Sequence, residues 1–203
     1  MKLPSGLLVP GFLFFLISGC ALDYAQNAQL SSSENLFDFD FQNESFQGGE
    51  IRFSPAMGHT KEELEILAIA EVLSNHVVQS ICFEDFMNKR KLIQTNKKTN
   101  EQVVDHLKNA RLAVPVKMYY SNNRVVGYRQ PPSITIYTNR KFHAGSTACA
   151  RASNLTHEWS HSLGYTHDFR ASYSRPYSVP YSINAAFAKC CSCNSIRDCV
   201  VKN

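Results

Sequence analysis

Residues 157–168 of this 203-residue chain read HEWSHSLGYTHD, and they hold the side chains best placed to do chemistry. His157 and His161 stand four apart, so on a helix they share one face and their rings can converge on one ion. Gly164 can end that helix, because glycine takes the left-handed conformation without a Cβ penalty. The chain then bends back and delivers His167 as a third ligand from outside the helix. The run fits H-E-x-x-H-x-x-G-x-x-H at all five specified positions. Such a match arises by chance in on the order of 10^-5 of chains this long, so a solvated helix face that merely carries His and Glu is the weaker explanation. Three neutral imidazoles leave one tetrahedral position open, as in a catalytic zinc site, and water there has its pKa lowered to about 7. Glu158 follows the first ligand directly, so its carboxylate reaches that water without competing for the metal. It is the natural general base, passing the proton on to the leaving amine.

This run resembles the signature of the metzincin zinc metallopeptidases. The resemblance implies His157, His161 and His167 as zinc ligands, Glu158 as catalytic base and Gly164 as the turn glycine. Asp168 is similar to the acid of the adamalysin (reprolysin) variant, where it is a structural hydrogen-bonding residue. The close match covers these twelve residues. One departure stands out: metzincins place a methionine turn beneath the metal, whereas the last methionine here is Met118. The stretch from Tyr177 to Ser182 lies where a short-linker member has that turn, which gives Pro180 the methionine's place. Tyr181 sits one position too close to match the oxyanion-stabilising tyrosine of some members, so that role and simple packing both stay open. Tyr173 and Tyr177 are expected to pack.

Residues 1–19 have the shape of a secretory signal: Lys2, then an apolar run from about Leu7 to Ser18 that Pro10 and Gly11 interrupt. The run is too short for a comfortable membrane span. It ends Ile17-Ser18-Gly19-Cys20-Ala21, which resembles a bacterial lipobox with Cys20 as the lipidated residue. Acyl chains there would hold the protein at a lipid membrane without spanning it. Ordinary cleavage near Ala21, giving a secreted chain, is the alternative. Of the seven cysteines, six remain beyond Cys20: Cys82, Cys149, Cys190, Cys191, Cys193 and Cys199. In an exported chain they are expected to form three disulfides, among fifteen connectivities. Adjacent Cys190 and Cys191 do not suit each other, so at least one is expected to reach Cys82 or Cys149 and clamp the C-terminal part onto the metal helix. A structural zinc in the C-terminal cysteine cluster is the competing reading.

The expected fold class is α+β: a compact metzincin-like domain with a twisted mixed sheet, a zinc-binding helix and a small disulfide-pinned C-terminal lobe. Residues 20–59 read as an acidic tether, with a propeptide as the alternative, and residues 60–203 as the catalytic domain. Thr60 with Glu63 makes a capping box for a helix to about Ser80. A basic loop from Asn88 to Asn100 precedes a helix over Glu101 to Leu112. Three strands are expected, Val114 to Tyr120, Arg124 to Tyr128 and Ser133 to Tyr137, the first two joined in a hairpin at Ser121-Asn122-Asn123. The metal helix starts near Ser146 or Thr147. In the family a sheet edge binds substrate as an added strand.

From Thr60 onward, nineteen Lys and Arg face eleven Asp and Glu, a balance of +8 that the acidic tether reduces to +4 overall. No nucleic-acid module is present, and export makes that partner improbable. The expectation is therefore an exported, monomeric zinc endopeptidase of the bacterial cell envelope, using one zinc ion on protein or peptide substrates. The competing functions are a hydrolase of cell-wall peptides and a catalytically inactive zinc-binding envelope lipoprotein. A decorative motif is a third, which metal analysis would settle.

Overall fold

The structure is a computed structural model that describes residues 49–193 and 199–202. The segment read as a signal, Cys20 and most of the segment read as a tether lie outside the described residues. The chain builds mixed α and β structure with a mixed sheet and a disulfide-bonded C-terminal region. Strand β1 (Glu50–Pro55) is followed by helices α1 (Lys61–Gln79), α2 (Ile81–Lys89) and α3 (Asn100–Asn109). Strands β2 (Arg111–Tyr119), β3 (Gly127–Arg129) and β4 (Ile136–Asn139) lead to α4 (Arg140–Gly145) and α5 (Ala148–Ser162). A 3-10 turn (Arg175–Tyr177), α6 (Val179–Cys190) and the short strands β5 (Cys191–Cys193) and β6 (Cys199–Val201) complete it.

The main sheet has the order β1-β2-β4-β3, with β1 and β4 parallel to β2 and β3 antiparallel to β4. Two expectations are corrected here. The sheet begins inside the segment read as tether: Ile51 and Phe53 alternate into the core, and β1 pairs with β2 from Glu50↔Arg111 onward. Its free edge is covered by α1, whose Asn75 side chain bonds both the N–H and the C=O of Ile51 at 2.9 Å, while Glu71 accepts from Phe53 N. A strand edge so occupied has little left to pair with another chain. The second correction concerns the hairpin. β2 and β3 are not neighbours, because β4 lies between them. Asn139, at the end of β4, takes Ser121 N at 3.3 Å and gives to Ser121 O at 2.9 Å and Val125 O at 3.2 Å, so its side chain holds the turn where a β2–β3 ladder would have been.

Helix starts follow side-chain chemistry. Thr60 and Glu63 form the expected capping box on α1, and Thr99 with Gln102 forms a second on α3. Ser80 ends α1 and caps α2 through Phe83 N at 3.1 Å, so the break between them is one residue. α3 stops at Asn109, short of Leu112, because Leu112 is paired with Ile51 in the sheet. Among the described residues no single helix is long and apolar enough to cross a bilayer; α1 and α2 pass that test only as a pair bent by 62°. The core joins their apolar faces to the sheet and to α5 and α6, around Phe83, Leu155, Trp159 and Phe187.

The disulfides are Cys82–Cys190, Cys149–Cys191 and Cys193–Cys199. Both adjacent cysteines therefore reach back, one to α2 and one to the start of α5. The six described cysteines are all paired, and Cys149, Cys191 and Cys193 also lie close enough together that as a group they could hold a metal ion.

Removing the Cys82–Cys190 bond, which spans 108 residues, by double alanine substitution should cost about 4–5 kcal/mol in denaturant unfolding. Removing Cys193–Cys199, with a separation of 6, should cost about 2 kcal/mol. A pH effect follows from His143 on α4, which is 3% exposed with neither ring nitrogen partnered. Burial, then the charge of Arg151, push its pKa down from 6.5 to about 3. The unfolded chain therefore takes up this proton first. The stability of the neutral form is full above pH 6.5 and is lost as pH falls toward 3. By pH 5 the loss should reach about 2 kcal/mol, and His143→Leu should flatten that part of the stability–pH curve.

Candidate metal centre

Helix α5 starts at Thr147, whose hydroxyl accepts from Ala150 N at 3.2 Å. Ala148 and Ala152 are buried and small, which lets α5 approach α1 closely enough for Thr156 Oγ1 to give to Ser74 Oγ at 2.8 Å. Leu155 and Trp159 enter the core, with the indole N–H bonded to Leu112 O at 3.1 Å. His157 and Glu158, 5% and 6% exposed, and half-buried His161 line the opposite side.

The helix ends as the glycine predicts. Gly164 has φ +90°, its N–H bonds His161 O at 3.1 Å, and Tyr165 N bonds Ser160 O at 3.2 Å. These two bonds make a Schellman end, which satisfies the last carbonyls and reverses the chain. Tyr165 then locks the reversal. Its ring is fully buried, its hydroxyl meets His106 Nδ1 at 2.8 Å, and its carbonyl accepts from His161 Nδ1 at 2.7 Å. His167 comes back beside the helix. Ring centroids lie 5.2 Å apart for His157–His161 and His157–His167, and 4.8 Å for His161–His167. One ligand atom from each lies within 4.8 Å of the others, so the three can hold a metal ion.

The protonation states suit that role. A backbone carbonyl only accepts, so Nδ1 of His161 carries a proton, as does Nδ1 of His167 facing Asp168 O at 3.1 Å. Nε2 is then the nitrogen left for a metal, in the tautomer that outer hydrogen bonds set for ligating histidines. Burial keeps all three rings neutral: it holds His157 well below 6.5, His161 at about 4 and His167 below its ordinary value. The neighbouring histidines push His157 further the same way. Its Nδ1 is buried and makes no regular hydrogen bond, although the backbone of Pro180 is near enough to favour the charged form slightly. Glu158 shows the opposite shift. Burial pushes its carboxyl up to about 7, against the pull of Arg129.

Pro180 is buried in the first turn of α6, and the next residue, Tyr181, sets its ring edge-on to His157 at 5.0 Å and to His167 at 4.9 Å. Tyr181 therefore belongs to the site and sits on a helix rather than a loop. Tyr173, expected to pack, is 90% exposed. Asp168 is a brace: it accepts from Ser172, from Ser174 at 2.8 Å and from Gln94 at 3.0 Å. The basic segment before α3, read as a plain loop, supports this side of the site. Asn96 bonds Gly164 O at 3.1 Å, Ile93 N bonds Tyr177 O at 3.0 Å, and Arg90 bonds Ser182 Oγ at 2.9 Å. Gln94, Asn96 and Lys97 take φ of 54°, 56° and 65°, a left-handed run that costs non-glycine residues and is retained where surrounding contacts demand it. Sequence reasoning missed Tyr165, Gln94, Asn96, Arg129 and Arg175. Only Tyr165 carried a signal, being the apolar residue directly after a helix-ending glycine.

The full chain should bind one divalent metal ion, and His161→Ala or His167→Ala should each abolish tight binding in a competition titration. A Cβ in Gly164→Ala would meet Asn96 Nδ2 at an ordinary contact distance of 3.5 Å, so its cost is backbone strain of about 1–2 kcal/mol. It should lower the melting temperature and weaken metal binding together. No family model, curated protein or solved structure matches the chain.

Proposed function

We propose that this chain is an exported zinc-dependent endopeptidase of metzincin type, held at the cell envelope through Cys20. The observation that carries the reading is a buried acid, Glu158, next in sequence to the first of three histidines whose ligand atoms lie within 4.8 Å of one another. A site meant only to hold a metal has no use for that group. Zinc is the metal that three imidazoles and an open fourth position suit best.

His157, His161 and His167 would hold the ion. Zinc, when bound, supplies Lewis acidity toward a scissile carbonyl and makes water more acidic. Glu158 takes the proton of the attacking water and returns it to the leaving amine. Burial raises the Tyr181 phenol above its ordinary pKa, so it stays protonated and is a hydrogen-bond donor beside the histidines. Pro180 with Tyr181 forms the floor that metzincins build from a methionine. Three disulfides suit an oxidising compartment, in keeping with export.

The test is cleavage of a mixed peptide library by the zinc-loaded full chain, beside Glu158→Gln. The expected result is chelator-sensitive cutting that falls roughly 10²–10⁴-fold in the variant while zinc stoichiometry is unchanged. If both proteins bind zinc and neither cuts peptides, the site is a binding centre and the peptidase reading is wrong. Cutting confined to cell-wall peptides would redefine the substrate and keep the chemistry.

A further inference from the structure

We propose that Arg129 and Arg175 make the three-histidine cleft selective for a carboxylate on the substrate, either an acidic side chain or a free C-terminus. The inference rests on the reading of the site as a peptide-hydrolysing centre and adds the substrate class.

Arg129 is placed by the pleat of β3. A Cβ on Gly127 would stand 2.8 Å from Asn154 Oδ1, so that face of β3 lies directly on α5. Residues two apart in a strand share a face, so Arg129 points the same way. Two strand residues advance about 6.7 Å and four helix residues about 6 Å, so the next pleat meets the next helical turn. That turn carries Glu158, four residues after Asn154, and the charge of Arg129 acts on both Glu158 and His161. Tyr128 between them faces the other way and stacks on Tyr137 at 5.0 Å. β3 is also the edge of the sheet.

Arg175 approaches the histidines through Tyr181. Its guanidinium lies 4.7 Å from the centre of the Tyr181 ring, the ring that touches His157 and His167. Its Nη1 reaches Phe169 O at 3.4 Å, while its Nε is buried without a partner.

Neither arginine makes an ion pair among the described residues. Asp168, the nearest acid in sequence, is turned onto Ser172, Ser174 and Gln94. Glu158 is the carboxylate the reaction uses. Two guanidinium groups thus lie near the histidines without an ion pair among the described residues, and the one acid on which Arg129 acts is Glu158. A planar guanidinium binds a carboxylate through two parallel hydrogen bonds and gains most where water is partly excluded. An amide of the same shape offers no such charge, so the site should discriminate Glu from Gln.

The experiment uses the zinc-loaded full chain with matched peptide libraries in which Glu, Gln and Lys are exchanged, each with a free or an amidated C-terminus. kcat/KM is read for wild type, Arg129→Gln, Arg129→Lys, Arg129→Glu and Arg175→Gln. Binding of the fluorescently labelled libraries to zinc-loaded wild type, Glu158→Ala, Arg129→Gln and Arg175→Gln is read in parallel. Wild type should favour the carboxylate by about 10- to 100-fold, mainly through KM. The ratio should fall toward one in either Gln variant, recover in part with Lys, and turn toward Lys-containing peptides in Arg129→Glu. Which libraries respond tells a side-chain acid from a C-terminus. If arginine only tuned Glu158, kcat would fall and the Glu/Gln ratio would stay, which overturns the proposal. Chelator-sensitive cleavage without carboxylate preference also overturns it and leaves the peptidase reading intact. Arginine-dependent binding of acidic peptides without cleavage does the reverse. Should Arg129→Gln fail to fold by circular dichroism, the ratio in Arg175→Gln decides.

Discussion

One helix must serve the core and the histidine cluster at once, and the rest of the structure follows from that constraint. α5 sends Leu155 and Trp159 into the apolar centre and keeps His157, Glu158 and His161 on the other side. Because the two stripes share a backbone, the packing that fixes the first fixes the second. The indole bond to Leu112 O ties the helix to β2, and the Thr156–Ser74 bond ties it to α1. The histidine pair four residues apart is thus held rigid by the packing of its own helix, which is what a pre-organised metal site would require.

The third histidine has no helix to hold it, and a different set of contacts takes over. Tyr165 fills the core directly after the Schellman end, so the reversal at Gly164 is held by burial as well as by two backbone bonds. Beyond it, Asp168 gathers its own loop, and the segment 90–97 holds that loop from outside through Arg90, Ile93, Gln94 and Asn96. The left-handed residues of that segment are conformations the chain does not take freely. Their bonds to the loops around His167 are the compensating contacts.

Covalent bonds fasten the remaining wall. Cys190 and Cys191 reach α2 and the first turn of α5, so α6 is pinned at its C-terminal end while Pro180 and Tyr181 at its start face the histidines. Burial is the common electrostatic cause throughout. It lowers the histidines, which lose charge, and raises Glu158, which retains a proton near neutrality.

The local geometry of the three-histidine cluster was legible in the residues alone. The four-residue spacing of His157 and His161, the left-handed turn at Gly164, the capping box at Thr60 and the backward reach of the paired cysteines are short-range or combinatorial rules. Short-range rules survive folding. What the sequence did not reveal depended on partners far along the chain. β1 looked like tether because two alternating apolar residues are too weak a signal. It becomes a strand through β2 and the side chains of Glu71 and Asn75. β3 and β2 looked like a hairpin because they follow each other, but β4 and Asn139 part them. Arg129 and Arg175 were two charges among many until the pleat of β3 and the ring of Tyr181 set them beside the histidines. Periodicity and spacing therefore determined which residues could act together on one element. Strand order and packing between elements, which rest on contacts tens of residues apart, decided what surrounds them.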